Sequence, residues 1–301
     1  MKNYLITILK ILVSGVLLYL ISKEIDWSQL IVSIKQGRFV YLFIGIITGC
    51  GFNVVKFIKW HYLIRTGNHN YSFSDGVKSY MIGNCLGLIT PMRAGDLGRA
   101  LYFHVDDRPR ITGLTVMDRF TELVAVLALS IGGCFVLLNK VLGMIVVSLA
   151  FFGILSLYAA GFLHGTVRRI IPDGRIGQKI MKLSEMLRLP DKTSVSVVLI
   201  LSFAAFVLCI LQFYFLISAF EKISVLSTFL ATPLVTLSSI LPVSVMGLGV
   251  REGISIVLLA KFSISAATSV SAAFLFFLIN NFSISSIGIY YLSKVKIKTD
   301  I

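Results

Sequence analysis

The chain has 301 residues, of which 56% are hydrophobic and 14% charged, with a formal net charge of +14 and a mean hydropathy of +0.90. A water-exposed globular surface cannot be built from so few charges, so a soluble enzyme or binding domain is excluded and an integral membrane protein is expected. The basic residues lie between apolar runs rather than on one compact unit, so their excess reads as topological and not as a nucleic-acid surface.

In chain order, Met1 to Ser22 places Lys2 and Lys10 around the start of an apolar run. It lacks a small-x-small cleavage site and a second long run follows, so a retained first span is expected over about 4 to 22. Further full spans are predicted at about 40 to 58, 112 to 138, 141 to 163, 195 to 218 and 266 to 292, each able to cross about 30 Å of hydrocarbon at 1.5 Å per residue. Two other apolar stretches, near 76 to 99 and 225 to 260, are broken. The first contains PMRAGDLGR (91 to 99), the second PVSVMGLGVRE (242 to 252), and Gly83, Gly87 and Pro233 are expected to interrupt them further. Their halves, about 10 to 16 residues, are too short to cross alone and suit re-entrant hairpins. The basic loop at about 164 to 192 carries Ile176, Ile180, Leu183 and Leu187 at helical spacing. It reads either as an amphipathic helix on the membrane surface or as a plain connector.

With a cytoplasmic N-terminus, six spans and two hairpins, 18 basic residues fall on the cytoplasmic face and six outside. The 18 include Lys56, Lys59 and Arg99; Lys78, Arg93, Arg119 and Arg251 are left at membrane depth. This bias is the one that short cytoplasmic loops show, and it puts both termini inside. The second half then repeats the first with every direction reversed. The expected fold class is an all-α integral membrane protein: a polytopic helical bundle of about six full spans plus two re-entrant hairpins arranged as an inverted repeat. One domain, 1 to 301, is expected, with pseudo-repeats at about 1 to 138 and 141 to 301.

The broken segments carry the chemistry. Each proline removes a backbone donor and the glycines relax the chain, so N–H groups at the start of a half-helix become available to an anion. Gly95 to Leu101 and Gly249 to Leu258, with Gly247 before the latter, are placed to do this. Arg93, Arg99 and Arg251 add guanidinium forks suited to phosphate. Asp96 and Glu252 stand beside them, so the arginines either bind ligand or only pair with the acids; three cations against two acids leave a surplus of one. A third constellation is DRFTEL (118 to 123), in which Asp118 and Glu122 share a helix face and Arg119 lies about 100° around. Ionisable groups inside a span should face the bundle interior. Asn280 and Asn281 occupy the matching place on the last span, and Asn84 is a further secondary candidate. Asn53, Lys56 and Gln212 are weaker candidates, explained by interhelical hydrogen bonding and by Lys56 snorkelling to the surface. Cys50, Cys85, Cys134 and Cys209 lack disulfide or metal spacing and read as packing filler. The four histidines suit the interface, and no P-loop, nucleophile elbow or dinucleotide motif is present.

Asn84 with PMRAGDLGR, then DRFTE from Asp118 to Glu122, then LPVSVMGLGVRE from Leu241 to Glu252, resemble the transmembrane domain of the lysylphosphatidylglycerol synthase/flippase family across nearly the whole chain. The resemblance implies a polytopic domain that moves a lipid or lipid-linked group between leaflets. Asp96 and Met246 depart from it, standing where glutamate and glycine are expected. The chain ends at Ile301, nine residues past the last expected span, so a synthase half is not expected and lysylphosphatidylglycerol is not assigned as substrate.

The expected function is a lipid translocase that binds an anionic headgroup near the bilayer midplane. Its expected substrate-binding residues are Arg93, Gly95, Asp96, Arg99, Asp118, Arg119, Glu122, Gly247, Gly249, Arg251 and Glu252. The alternatives are a secondary transporter of a small organic anion with Asp118 or Glu122 as proton site, and a membrane enzyme acting on a polyprenyl-linked donor with Asp96 or Glu122 as general base. No catalytic residue, cofactor, metal or nucleic acid is expected. The expected partners are membrane lipids, with an anionic phospholipid or polyprenyl-phosphate-linked substrate, in the cell membrane; a homo-oligomer is compatible with the sequence.

Overall fold

The computed structural model describes residues 38–66, 71–88, 90–170, 191–239 and 249–294. The expected first span, the amphipathic stretch at 176 to 187, and Pro242, Met246 and Gly247 lie outside these residues.

Hydrocarbon offers backbone amides no partner, so an apolar chain must satisfy them internally, and the described residues do so with helices. Five are long and apolar enough to cross a membrane, which makes this a multi-pass membrane protein. They are α1 (Phe39–Thr66), α3 (Arg108–Gly133, prolonged by a π-helical turn Cys134–Leu138), α4 (Lys140–Ile170), α5 (Lys192–Ser218) and the last span. The last span is built from α8 (Ala266–Phe277), a π-helical turn Leu278–Phe282 and α9 (Ser283–Lys294). Polar side chains mark several starts. Asp191 accepts from the Ser194 N–H at 2.7 Å to cap α5, and Ser265 accepts from the Thr268 N–H at 3.2 Å to cap α8. α4 continues to Ile170, past the residue where the polar loop was expected to begin.

The two broken stretches are the exceptions. α2 (Phe73–Leu88) is followed by a 3₁₀ arm, Pro91–Tyr102, and α6 (Val225–Ser238, capped by Ser224) is followed by α7 (Val250–Ala260). Gly83, Gly87 and Pro233, expected to interrupt these stretches, lie inside continuous helix. The described elements instead end at Leu88 and Ser238 and resume at Pro91 and Val250. A helix as short as α6, 14 residues, spans only about 21 Å, less than the hydrocarbon thickness.

The first pair is a hairpin. A Cβ on Gly83 would touch Arg99, one on Gly87 would touch Asp96, and Tyr102 Oη donates to Asp75 at 2.9 Å at the open end. In the second pair Ala231, Leu234 and Val235 of α6 share a core with Leu258 and Leu259 of α7.

The hairpins open at opposite ends of the bundle. The mouth of the first meets the C-terminal ends of α1 and α9: the Phe73 ring lies 5.2 Å edge-on from His61, and Lys78 and Tyr102 line a pocket with Tyr290, Tyr291 and Lys294. At the mouth of the second, Lys261 donates to the Leu137 carbonyl at the far end of α3, and Arg38, at the start of α1, donates to the Phe220 carbonyl. Glu221 there accepts from Thr268 at the start of α8 at 2.6 Å.

Two glycines let the spans approach these hairpins. A Cβ on Gly288 of α9 would lie 2.2 Å from the Met81 carbonyl oxygen of α2, and one on Gly133 of α3 would lie 2.1 Å from that of Leu230 in α6. Gly288→Val and Gly133→Val are therefore each expected to destabilise the purified protein by about 1–3 kcal/mol, read as a lower melting temperature in detergent. Gly253→Ala, where a Cβ meets nothing within 4 Å, is expected to leave stability unchanged or raise it by up to about 1 kcal/mol.

Candidate functional site

The site begins with two polar faces. On α1, Asn53, Lys56 and Lys59 recur every third residue and so share one side of the helix. On α3, Asp118 and Glu122 are one turn apart. These faces meet inside the bundle, and a charge in hydrocarbon costs about 2.5–3.5 kcal/mol on insertion scales unless it is compensated. Compensation is extensive. Lys59 Nζ lies 2.8 Å from Asp118 and 3.0 Å from Glu122, and Lys56 Nζ lies 3.0 Å from Glu122. Lys59 also donates to Ser202 of α5 at 3.2 Å.

The first hairpin is tied into the same network. Arg99 pairs with Asp118 at 2.8 Å, and its guanidinium lies between the Trp60 ring at 4.5 Å and the Tyr80 ring at 4.3 Å. Arg119 reaches Asp96 at 2.7 Å and Glu122 at 2.8 Å. Arg93, at φ 54° in the left-handed region that non-glycine residues rarely adopt, donates to Asn84 at 2.6 Å and lies 3.4 Å from Asp96. From the other hairpin come Arg251 and Glu252, paired with each other. An amide chain completes the interior: Asn53 donates to Asn280 at 3.0 Å, and Asn280 to Gln212 at 2.7 Å. Asn280 sits in the π-helical turn, whose extra residue per turn re-aims side chains.

These groups surround a cavity of about 400 Å³. One wall, from α2, the 3₁₀ arm and α3, brings Asn84, Arg93, Asp96, Arg119 and Glu122. The opposite wall, from α5, α6 and the last span, brings Phe206, Phe213, Val235 and Phe276. Phe52, Asn53 and Lys56 of α1 line it between them, and Arg251, Asn280 and Asn281 also line it. Described residues of both hairpins, Arg93 and Asp96 of the first and Ser239 and Arg251 of the second, thus line the same space. Among the described residues ten charged side chains gather around or behind its wall: Lys56, Lys59, Arg93, Arg99, Arg119 and Arg251 against Asp96, Asp118, Glu122 and Glu252. The surplus is two positive charges, one more than the motifs alone indicate.

Several sequence expectations change. Arg99 and Asp118 are fully buried and stand behind the cavity wall. Gly95 packs on α2, where a Cβ would meet the Leu86 carbonyl oxygen at 2.1 Å. At the half-helix starts where an anion site is expected, one amide each is engaged from within: the Gly95 N–H donates to Thr90 Oγ1 and the Gly249 N–H to Glu252 Oε2, both at 2.7 Å. Gly249, at φ 84°, starts α7, and Glu252 serves that start and Arg251 rather than lining the cavity. Lys56 does not snorkel; it is 6% exposed and faces the cavity. Lys59, never singled out from the sequence, is 1% exposed. Its signal was present in the three-residue spacing from Asn53, which a surface lysine does not need. Moving Lys56, Lys59 and Arg99 into the bundle and Lys78 to the hairpin mouth changes the expected charge tally to 16 against six.

Lys59 holds two carboxylates and does not line the cavity. Lys59→Met is therefore expected to destabilise the protein by about 3–5 kcal/mol, since it leaves buried negative charge uncompensated. A double-mutant cycle with Asp118→Asn, read by melting in detergent, is expected to give a coupling of about 0.5–3 kcal/mol.

A comparison with curated proteins finds no match. The family model for the lysylphosphatidylglycerol synthase TM region matches residues 7–288, taking in both hairpins, the DRFTE helix and the cavity between them. With nearly its whole length matched, the chain belongs to the lysylphosphatidylglycerol synthase transmembrane-region family.

Proposed function

We propose that the protein translocates a lipid or lipid-linked group between leaflets, holding its anionic headgroup in the cavity between the hairpin tips, and that it does so without making or breaking a covalent bond. The carrying observation is the cavity itself: a space with an excess of buried guanidinium and ammonium groups that also reaches the flank of the bundle. Val116, which lines it, is 40% exposed on α3, eight residues or about 12 Å along the axis from the helix start. A lining residue exposed at that depth supports entry from the hydrocarbon side, with the headgroup in the cavity and its tail in lipid. A soluble anion would need an opening at a bundle end. Membership in a family tied to membrane lipids supports the same reading, and about 400 Å³ suits a headgroup.

Arg251, Arg119, Arg93 and Lys56 are the groups assigned to the headgroup, with Asn84, Asn280 and Asn281 as neutral donors and acceptors. Asp96 and Glu122 occupy the cations between cycles. Arg251 Nε, which finds no hydrogen-bond partner among the described residues, is a donor free for a phosphate oxygen. In this reading the molecule lies in the cell membrane with both termini cytoplasmic, the first hairpin enters from the cytoplasm and the second from outside. Two inverted repeats then rock about the site to expose it alternately.

Reconstituted protein is expected to accelerate loss of leaflet-protected label from fluorescent phosphatidylglycerol or a polyprenyl phosphate. Arg251→Ala and Arg119→Ala should each reduce that rate at least about tenfold, the equivalent of about 1.4 kcal/mol, measured per folded protein because each change also strands a buried carboxylate. A wild-type rate equal to that of empty vesicles for every phospholipid and polyprenyl phosphate tried overturns the proposal.

A further inference from the structure

A second pocket, outside the translocation cavity, lies at the mouth of the first hairpin and has a volume of about 660 Å³. Three cations line it: Lys78 from α2, Arg108 from the start of α3 and Lys294 from the end of α9. Among the described residues no carboxylate lines it. Two acids beside the pocket are engaged by lining tyrosines, Asp107 accepting from Tyr71 Oη at 2.6 Å and Asp75 from Tyr102 Oη at 2.9 Å. Burial, reinforced by the bond to Asp107, pushes the Tyr71 hydroxyl up to about 12, so it remains a donor throughout the physiological range.

The remaining walls are aromatic. Tyr71 packs edge-on to Phe103 with centroids 4.6 Å apart, and Lys294 Nζ stands 4.2 Å above the Tyr290 ring. Tyrosines collected at one end of a transmembrane bundle mark headgroup depth, where an apolar ring and a polar hydroxyl each find their preferred medium. Cations at that level, lining a pocket to which the described residues contribute no carboxylate, are arranged for phosphate.

We infer that this mouth pocket is a second anion site, for a phosphate ester at the membrane surface, distinct from the cavity between the hairpins. The chemistry is that of a phospholipid headgroup or of a free phosphate. The site does not require translocation. It shares α2 with the cavity, since Asn84 lies six residues, about 9 Å, further along the helix than Lys78.

Native mass spectrometry of the detergent-purified full chain, titrated with phosphatidylglycerol, phosphatidylcholine or inorganic phosphate, tests it. Phosphatidylglycerol is expected to bind in preference to phosphatidylcholine, and Lys78→Gln/Lys294→Gln to weaken it at least about tenfold. The loss should be equally large with Arg251 intact or replaced by alanine, because the two sites are separate. Lys78→Arg/Lys294→Arg should restore binding. Lys294→Glu, a single change at an exposed helix end, gives the same reading should the double variant fold poorly. Binding of inorganic phosphate that depends on these lysines, without lipid preference, keeps the site and assigns it to a soluble ester. Unchanged phosphatidylglycerol binding in both lysine variants, or a loss that disappears in the Arg251→Ala background, overturns it.

Discussion

An ion pair cannot be dismantled cheaply inside a bundle, and this constraint organises the molecule around α3. Asp118 receives Lys59 from α1 and Arg99 from the first hairpin on its two oxygens, at 2.8 Å each. Two other pieces of chain, α1 and the first hairpin, are thereby fixed to one carboxylate of α3. Glu122, one turn on, binds Lys56, Lys59 and Arg119. Removing any one partner strands the others at low dielectric, so the network sets the position of the hairpin more firmly than apolar contact in lipid could.

The hairpins follow from the same logic applied to the backbone. A break in a membrane helix is tolerated only where freed amides find partners, and here the partners are supplied locally, by Thr90 in the first hairpin and Glu252 in the second. One amide at each break is thus engaged from within, and in the proposed function side chains carry the recognition of negative charge. Guanidinium groups extend into the space where backbone cannot, and their forked geometry suits tetrahedral anions.

Charge balance around the cavity gives that recognition its reversible character in the proposed cycle. Asp96 and Glu122 already contact Arg119, so an entering headgroup exchanges one set of ion pairs for another instead of satisfying bare charge. An exchange of that kind keeps binding weak enough to release. The aromatic wall opposite, with Phe206, Phe213 and Phe276, offers the apolar remainder of an amphiphile a surface of its own. The mouth pocket repeats the pairing of cations with aromatic rings at headgroup depth.

Hydropathy and length determine the spans, because the thickness of hydrocarbon is a fixed ruler and each helix satisfies its own backbone; all five spans expected among the described residues are helical. The two proline and glycine motifs likewise mark the broken segments, since local backbone chemistry needs no distant partner to fail. Arg93, Asp96, Arg119, Glu122 and Arg251 stand out for a similar reason, being charges where charge is costly. The place of a residue before or behind the cavity wall is a different kind of fact. Lys59, three residues from Lys56 on the same face, turns to Asp118 while Lys56 turns to the cavity, and Arg99 is stacked between two rings instead of facing ligand. Which cation meets which carboxylate depends on how α1, α3 and the hairpin dock, and that docking is the sum of contacts between residues tens of positions apart. Composition and periodicity carry no record of that docking, so the pairing of Lys59 with Asp118 and the stacking of Arg99 between two rings were decided by tertiary structure.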